Sequence, residues 1–175
     1  MQITALEEYG IRCAYQLAKH HHDGPLAASR IAELEGLSVE YVSKIMHLFR
    51  KGGLVLASRG NQGGFYLAKN PELTYLDEVF SHLRSKKEMN ESFCEKFPGQ
   101  QTVCNHSGSC SIRPVWNVLS GYFNEILGSL TLNDILSREE DIEKHIKSIA
   151  SKKANDIKSN LSKNPTQPSR GEATQ

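Results

Sequence analysis

The sequence lacks an excess of either charge and lacks long apolar runs. Lys and Arg number 21 against 20 Asp and Glu, which gives a formal net charge of +1, so any nucleic-acid signal must be local. No stretch approaches the roughly 18 consecutive apolar residues of a membrane-spanning helix, and the opening MQITALEEYG is not a basic segment followed by an apolar run. We therefore expect a cytoplasmic protein with no membrane partner.

Catalytic motifs are also missing. The chain has no Gly-rich phosphate loop, no nucleophile elbow and no HExxH helix. Its 175 residues fit one domain with an appended element and leave no space for a second, catalytic domain. We do not expect an enzyme.

Cysteine is scarce, but three of the four cysteines lie close together. Cys94, Cys104 and Cys110 are separated by nine and five residues, with glycine and proline between them. Such a loop can wrap three thiolates around a soft metal or an iron-sulfur centre, and clustered cysteines in a reducing compartment are more often ligands or redox sensors than disulfides. A disulfide with a spare thiol, or three inert buried thiols, also fits the spacing. Zinc is disfavoured because paired C-x-x-C spacing is absent.

The first helix is predicted from a capping box and a regular apolar stripe. Thr4 and Glu7 have the spacing of the box, and the helix should run through His20. Glu7 and Glu8 are expected to be solvated carboxylates of its first turn. The fourth cysteine belongs to the stripe, where a buried hydrophobic residue is expected rather than a ligand; the stripe comprises Leu6, Tyr9, Cys13 and Leu17.

The next elements predict a winged helix-turn-helix. A short helix over about 28–35 stops at Gly36, and Ser38 caps a third helix that ends before Gly52. Two short apolar runs at 54–57 and 65–68 then flank a glycine-rich tip, which is typical of a β-hairpin. We therefore predict a mainly α fold with a small β-hairpin wing.

The local charge indicates double-stranded DNA as the partner. Residues 41–69 include five basic residues and no Asp or Glu. The outward side of the third helix can reach base edges or phosphates in the major groove, and the wing tip can enter the minor groove. A solvated helix face beside a flexible turn is the alternative. The predicted DNA-contacting residues are Ser38, Glu40, Tyr41, Ser43, Lys44, His47, Arg50, Arg59, Asn61 and Gln62.

The second half of the chain predicts a long dimerisation helix. Thr74 should open a helix that seats the DNA-binding unit, and apolar residues then keep helical period from Ile112 to Leu130. Because operators are commonly read by two-fold dimers, we interpret this stripe as a homodimer seam; packing within one chain is the alternative. The predicted seam residues are Trp116, Leu119, Tyr122, Phe123 and Ile126.

Four regions follow from these patterns. Residues 1–84 form the winged helix-turn-helix, 85–111 the cysteine-bearing loop, and 112–150 the dimerisation helices. Residues 151–175 are polar, with two aliphatic residues larger than alanine, and are expected to be disordered.

Residues 1–137 resemble the Rrf2 family of bacterial iron-sulfur winged-helix transcriptional regulators. The resemblance rests on the opening MQIT, YGIR at 9–12, the start of the third helix at 37–41, RKGGLV at 50–55, RGNQGG at 59–64, the three downstream cysteines and TLNDIL at 131–136. It implies a homodimeric repressor whose affinity for DNA depends on a 2Fe-2S or 4Fe-4S cluster held by Cys94, Cys104 and Cys110.

The fourth ligand differs between branches of the family. In the cluster-biogenesis branch a histidine lies three residues beyond the third cysteine, where this chain has Arg113, and an arginine cannot be that ligand. The nitric-oxide-sensitive branch is similar to this chain in having a carboxylate at the position of Glu8, which implies a ligand from the partner subunit. His106 is the competing residue.

The resemblance implies a sensor of nitric oxide, redox state or iron supply. Within the regulators, a metal-free switch in which Cys104 and Cys110 form a disulfide on oxidation is the alternative. From other classes, a cysteine-dependent enzyme or an iron-sulfur electron carrier fits poorly, because a carrier has no use for a basic wing.

Overall fold

A computed structural model of the chain describes residues 3–60, 63–84 and 92–163, with side chains to residue 152. The chain divides into two units after Arg138. The described part is mainly α-helical with one two-stranded sheet, as predicted. Its helices and strands are α1 (Ala5–Lys19), α2 (Ala28–Glu35), α3 (Val39–Gly52), β1 (Val55–Ser58), β2 (Gly64–Leu67), α4 (Leu76–Leu83), α5 (Phe93–Lys96), α6 (Arg113–Gly128) and α7 (Glu139–Lys163), with 3-10 turns at Pro71–Leu73 and Asp134–Leu136.

The helix-turn-helix forms as the sequence predicts. Gly36 ends α2 in the left-handed conformation at φ 65°, which glycine adopts without steric cost. The Ser38 hydroxyl then accepts a hydrogen bond from the Tyr41 amide and caps α3. The predicted stripe of α3 is its buried face, so the opposite face is free for a partner; the four buried residues are Val42, Ile45, Met46 and Phe49.

The wing pairs with the segment that connects α1 to α2. Strands β1 and β2 pair antiparallel, with Val55 opposite Leu67. Leu26 and Phe65 exchange two backbone hydrogen bonds of 2.9 Å, which adds a third short segment to the sheet. Gly64 permits this approach, since a Cβ at that position would lie 2.5 Å from the Leu26 carbonyl carbon.

Helix α4 connects the DNA-binding unit to α6. Its first residue is Leu76, so Thr74 does not open the helix as predicted. Thr74 is instead buried in an extended segment, where its carbonyl accepts a hydrogen bond from the Leu132 amide and the Leu76 amide donates to the Leu130 carbonyl, both at 2.8 Å. The chain beyond α6 therefore pairs with the chain before α4.

Glu7 differs from its predicted solvated state. The capping box with Thr4 forms, but Glu7 is only 4% exposed and its Oε1 accepts a hydrogen bond of 2.6 Å from Arg84 Nε. Burial raises the pKa of Glu7, but hydrogen bonds from Thr4 and Arg84 and the charge of Arg84 lower it further, so the net pKa lies below its ordinary value. The partner is at the end of α4, so no local pattern reveals it.

The second unit is the helix α7. It begins with Glu139, Glu140 and Asp141 in its first turn, where carboxylates favour the helix dipole. The helix continues to Lys163. The disorder predicted from Ser151 therefore differs from the structure over 151–163, and residues 164–175 lie outside the described residues. None of the described helices combines the length and the apolar character that a membrane span requires.

The Glu7 ion pair predicts an acid-sensitive share of stability. Glu7→Gln should lower the free energy of unfolding at pH 7 by about 1–3 kcal/mol, because Arg84 loses its charged acceptor. Since the folded pKa lies below the ordinary 4.5, this stabilisation is present above that value and is lost as the pH falls through the folded pKa. In urea unfolding between pH 7 and pH 3, the free energies of unfolding of wild type and Glu7→Gln should become equal as the pH falls.

The matched control is Glu72→Gln, because Glu72 is exposed. It should change the free energy of unfolding by less than about 0.5 kcal/mol at any pH. A constant difference between wild type and Glu7→Gln across the acid range would contradict the linkage.

Candidate functional site

The outward face of α3 carries most of the predicted DNA-contacting residues. Ser43, Lys44, His47 and Arg50 are exposed on the side opposite the buried stripe. Ser38 and Glu40 are exposed at the N-terminus of the helix, where backbone amides also point outward. This end of the helix can therefore present amides, hydroxyls and a cation to a phosphate backbone or to base edges.

Four of the five basic residues in the 41–69 segment are available to a polyanion. Lys69 is not, because its ammonium pairs with Glu78 Oε1 at 2.8 Å. The other four form no ion pair within the described part of the chain and are exposed; they are Lys44, Arg50, Lys51 and Arg59. Unpaired cations gain most from neutralising phosphates, because no internal ion pair has to be broken.

Tyr41 and the wing tip are placed differently from the rest of the predicted surface. The Tyr41 ring packs edge-on against Tyr9 of α1 at 5.7 Å between centroids, so part of this side chain positions α3 on α1. Arg59 is exposed directly after β1. Asn61 and Gln62 lie outside the described residues.

The three clustered cysteines lie around the start of α6. All three are free thiols of intermediate exposure. A cleft of about 530 Å³ is lined by Cys94, Cys104 and Arg113, together with Ser92, Phe93, Glu95, Thr102, Val103, Ser107 and Asn117. The site therefore combines soft donors with one cation beside an open cleft.

Arg113 is the central contact of this loop. Its Nε donates to Cys94 Sγ at 3.4 Å, and its Nη2 donates to the carbonyls of His106 and Ser107 at 3.2 and 2.8 Å. The hydrogen bond to Cys94 raises the pKa of Arg113, and burial opposes this shift. One guanidinium thus joins Cys94 to the loop backbone at His106 and Ser107.

The described residues do not form a finished ligand set. No group of three or more His, Cys, Asp or Glu side chains among them is arranged to hold a metal ion. Glu8 is exposed on α1, where its charge acts on Arg12, and His106 is exposed in the loop. By donor chemistry the thiols suit an iron-sulfur cluster, and two of them, Cys94 and Cys104, line one cleft with Arg113.

Cys13 is a core residue, as predicted. Its side chain is 0% exposed, and burial together with the charge of Glu35 raises the pKa of the thiol to about 12. A thiol that stays protonated is a poor ligand and a poor nucleophile, so the chemistry of cysteine in this chain belongs to the loop.

Helix α6 has two apolar faces. One packs inside the chain: Leu127 is buried, the Phe123 ring lies edge-on to Phe80 of α4 at 5.9 Å, and Trp116 stacks on Phe93 of α5 at 5.7 Å. The other faces outward at three- and four-residue spacing, with two residues 53% exposed and two half-buried; it comprises Val115, Leu119, Tyr122 and Ile126. Of the predicted seam residues, Trp116 and Phe123 make these contacts within the chain, and Trp116 is still 40% exposed.

Sequence reasoning missed two contacts of the site. Arg113 was considered only as a residue that cannot be a ligand, and Phe93 was not considered at all. The adjacency of Arg113 to Cys110 was the available signal for the first. The stacking of Phe93 on Trp116 had no signal, because it depends on how the loop folds back.

Comparison with known proteins identifies the family. The family model described as "Rrf2: Iron-dependent Transcriptional regulator" matches residues 3–138. The chain belongs to the Rrf2 family. It is accordingly a DNA-binding transcriptional regulator and not an enzyme.

Individual relatives agree with this assignment. The chain is 26% identical over 143 residues to the HTH-type transcriptional regulator IscR of Xenorhabdus nematophila, covering 82% of this chain and 84% of that protein. Among solved structures, that of IscR from T. potens is similar to this chain with a TM-score of 0.62 and 28% sequence identity, covering 78% of this chain and 86% of that one. CymR of B. subtilis, the global cysteine regulator, has a TM-score of 0.63 at 24% identity, covering 77% and 95%, which supports the Rrf2 fold alone.

The DNA face predicts distinct losses for two substitutions. Arg59→Ala should weaken specific operator binding by roughly 1–3 kcal/mol if the guanidinium contacts base edges. Lys44→Ala should weaken specific and non-specific DNA alike if it contacts phosphate. Gel shifts on a natural operator and on a scrambled duplex would measure both effects.

The control for this experiment is Lys96→Gln, which removes an exposed cation whose ammonium lies 5.8 Å from the Phe97 ring centroid, away from the 41–69 segment. It should leave both affinities unchanged. Operator affinity equal to wild type in both Arg59→Ala and Lys44→Ala would move the DNA-binding surface elsewhere.

Proposed function

We propose that this chain is a homodimeric repressor whose affinity for its operator is controlled by an iron-sulfur cluster. The observation that carries the proposal is that Arg113, at the start of α6, joins Cys94 to the loop backbone between Cys104 and Cys110, and that Cys94 and Cys104 line one cleft. The description of the Rrf2 family as iron-dependent supports it. The signal that we assign to it is nitric oxide, redox state or iron supply.

The three cysteines would hold the cluster through their thiolates, which are soft donors suited to iron-sulfur centres. When bound, the cluster supplies a redox-active centre that is easily attacked or lost. The partner subunit's Glu8 is our choice of fourth ligand, since Glu8 is exposed and bears a carboxylate. A carboxylate is a harder donor than a thiolate and holds soft iron less firmly, which suits a sensor.

Control of DNA binding follows from the position of the loop. The loop that bears the cysteines ends at the first turn of α6, the same helix that presents the outward apolar face. In a two-fold dimer the recognition helices must lie about one duplex turn apart. A pivot of α6 when the cluster is lost would change that spacing and weaken binding to both half-sites.

A metal-free thiol switch is the second candidate. It is favoured by the observation that the three thiols are free and that no finished ligand set exists among the described residues. Cys104 and Cys110 would form a disulfide on oxidation. Anaerobic purification separates the two proposals, because visible absorbance with bound iron and sulfide is expected for the cluster and not for the switch.

The proposed ligands predict substitutions that differ in kind. Any of Cys94→Ala, Cys104→Ala and Cys110→Ala should abolish the cluster and operator binding while helical content is unchanged, because the core does not depend on metal. Glu8→Ala should assemble a cluster anaerobically that decays faster in oxygen, since a weak ligand is lost. Visible absorbance with iron and sulfide analysis measures both outcomes.

His106→Ala is the matched control for Glu8→Ala, because both remove an exposed candidate ligand. It should change the decay rate little. If His106→Ala destabilises the cluster and Glu8→Ala is silent, the ligand set is local to the loop and the assignment of Glu8 fails.

The outward face of α6 predicts the dimer contact. Leu119→Glu should dissociate the dimer, because each protomer loses the exposed half of a leucine that the partner would cover, at a combined cost of about 1.5–3 kcal/mol, and a carboxylate would be placed in the seam. Tyr122→Glu and Ile126→Glu should act in the same direction. Analytical ultracentrifugation gives the mass, and operator affinity should fall with it.

Asn124→Glu is the control on the opposite, exposed side of the same helix. It should leave the mass unchanged. A dimeric Leu119→Glu protein would place the seam elsewhere.

A further inference from the structure

Arg113 occupies a position that local electrostatics disfavours. It is the first residue of α6, where the positive end of the helix dipole repels a cation. The first turn of α6 contains no acidic residue, and Ile112 provides no side-chain cap. A residue that breaks a local rule needs compensation elsewhere, and here the compensating partners are in the cysteine loop.

The geometry of a helix start explains how Arg113 reaches that loop. Side chains of an α-helix lean towards its N-terminus, so a long first side chain extends back over the preceding segment. The guanidinium fork then binds acceptors from two separate parts of the loop, namely Cys94 Sγ and the adjacent carbonyls of His106 and Ser107. The loop thus has two arms, one with Cys94 and one with Cys104, His106 and Ser107, and both contact the same guanidinium.

A second contact holds the beginning of the loop against α6. The short helix α5 is capped by Ser92, with a capping box to Glu95, and its Phe93 ring stacks on Trp116 one turn into α6. This contact anchors only the Cys94 arm. The arm with Cys104, His106 and Ser107 has Arg113 as its polar link to α6 among the described contacts.

We propose that Arg113 is a positioning residue that folds the cysteine loop in the cluster-free protein and keeps the Cys94 and Cys104 arms together for cluster assembly. The role of Arg113 in cluster assembly rests on the proposed function, whereas its role in folding the loop is independent of that function. A lysine at this position keeps the charge but has one nitrogen, so it cannot bind the thiol and both carbonyls in the planar fork geometry.

Hydrogen exchange of the metal-free protein tests the folded loop. Deuterium uptake of peptides covering 93–112 should rise about fivefold in rate in Arg113→Gln, because the amide of Ser107, which donates to the Cys104 carbonyl at 3.0 Å, loses the turn that protects it. Arg113→Lys should be intermediate. The control Lys96→Gln, a cation of the same segment, should match wild type, and peptides from α1 and α3 should be unchanged in every variant.

Equal uptake of the 93–112 peptides in wild type and Arg113→Gln would overturn the proposal. Faster exchange in α1 and α3 as well would mean that Arg113 stabilises the whole unit, which also overturns a positioning role specific to the loop.

Anaerobic reconstitution with iron and sulfide tests the assembly. Arg113→Gln should load less cluster per protomer than wild type, with Arg113→Lys between them. Equal loading of all three proteins would limit Arg113 to folding the loop and overturn its role in assembly. If wild type itself loads no cluster, the proposed function fails, and the role of Arg113 in cluster assembly fails with it. The hydrogen-exchange data still decide whether Arg113 folds the loop in the metal-free protein.

Discussion

The packing of Arg84 between one carboxylate and two aromatic rings holds the first unit together. Its Nε donates to buried Glu7 of α1, and its guanidinium lies 5.3 Å from the Phe80 ring centroid of α4 and 5.8 Å from that of Phe123 in α6. Three helices that are distant in sequence therefore meet at one cation. Removing the partner of a charge that is paired and stacked in this way destabilises the folded chain. The contacts of Arg84 therefore hold α6 in place against α1 and α4.

That junction gives α6 its two faces. One side of the helix packs on α4 and α5, and among the described residues the apolar side chains on the other side remain exposed or half-buried. An apolar stripe of this kind is the usual mark of a protein contact. The same helix begins at the cysteine loop, so in the function that we propose a change in the loop would act directly on the helix that contacts the partner.

Local periodicity was sufficient to predict the helices of the helix-turn-helix. The spacing of Val42, Ile45, Met46 and Phe49, the Ser38 cap and the Gly36 stop each act within a few residues, so α3 and its exposed face could be predicted closely. The hairpin followed from its glycine-rich tip. The spacing of the three cysteines placed them in one loop, where Cys94 and Cys104 line a common cleft. Cys13 was assigned to the core because it shares a stripe with Leu17.

The sequence by itself determined the helix-turn-helix, the wing, the family resemblance and the residue types available to the site. Only the tertiary structure decided which of them meet. Glu7 pairs with a residue 77 positions away, Phe123 turns inward to Phe80, and Arg113 bends back to the carbonyls of the loop. The physical reason is range: caps, stops and stripes act over one or two helical turns, whereas burial and charge pairing depend on segments that only the folded chain brings together.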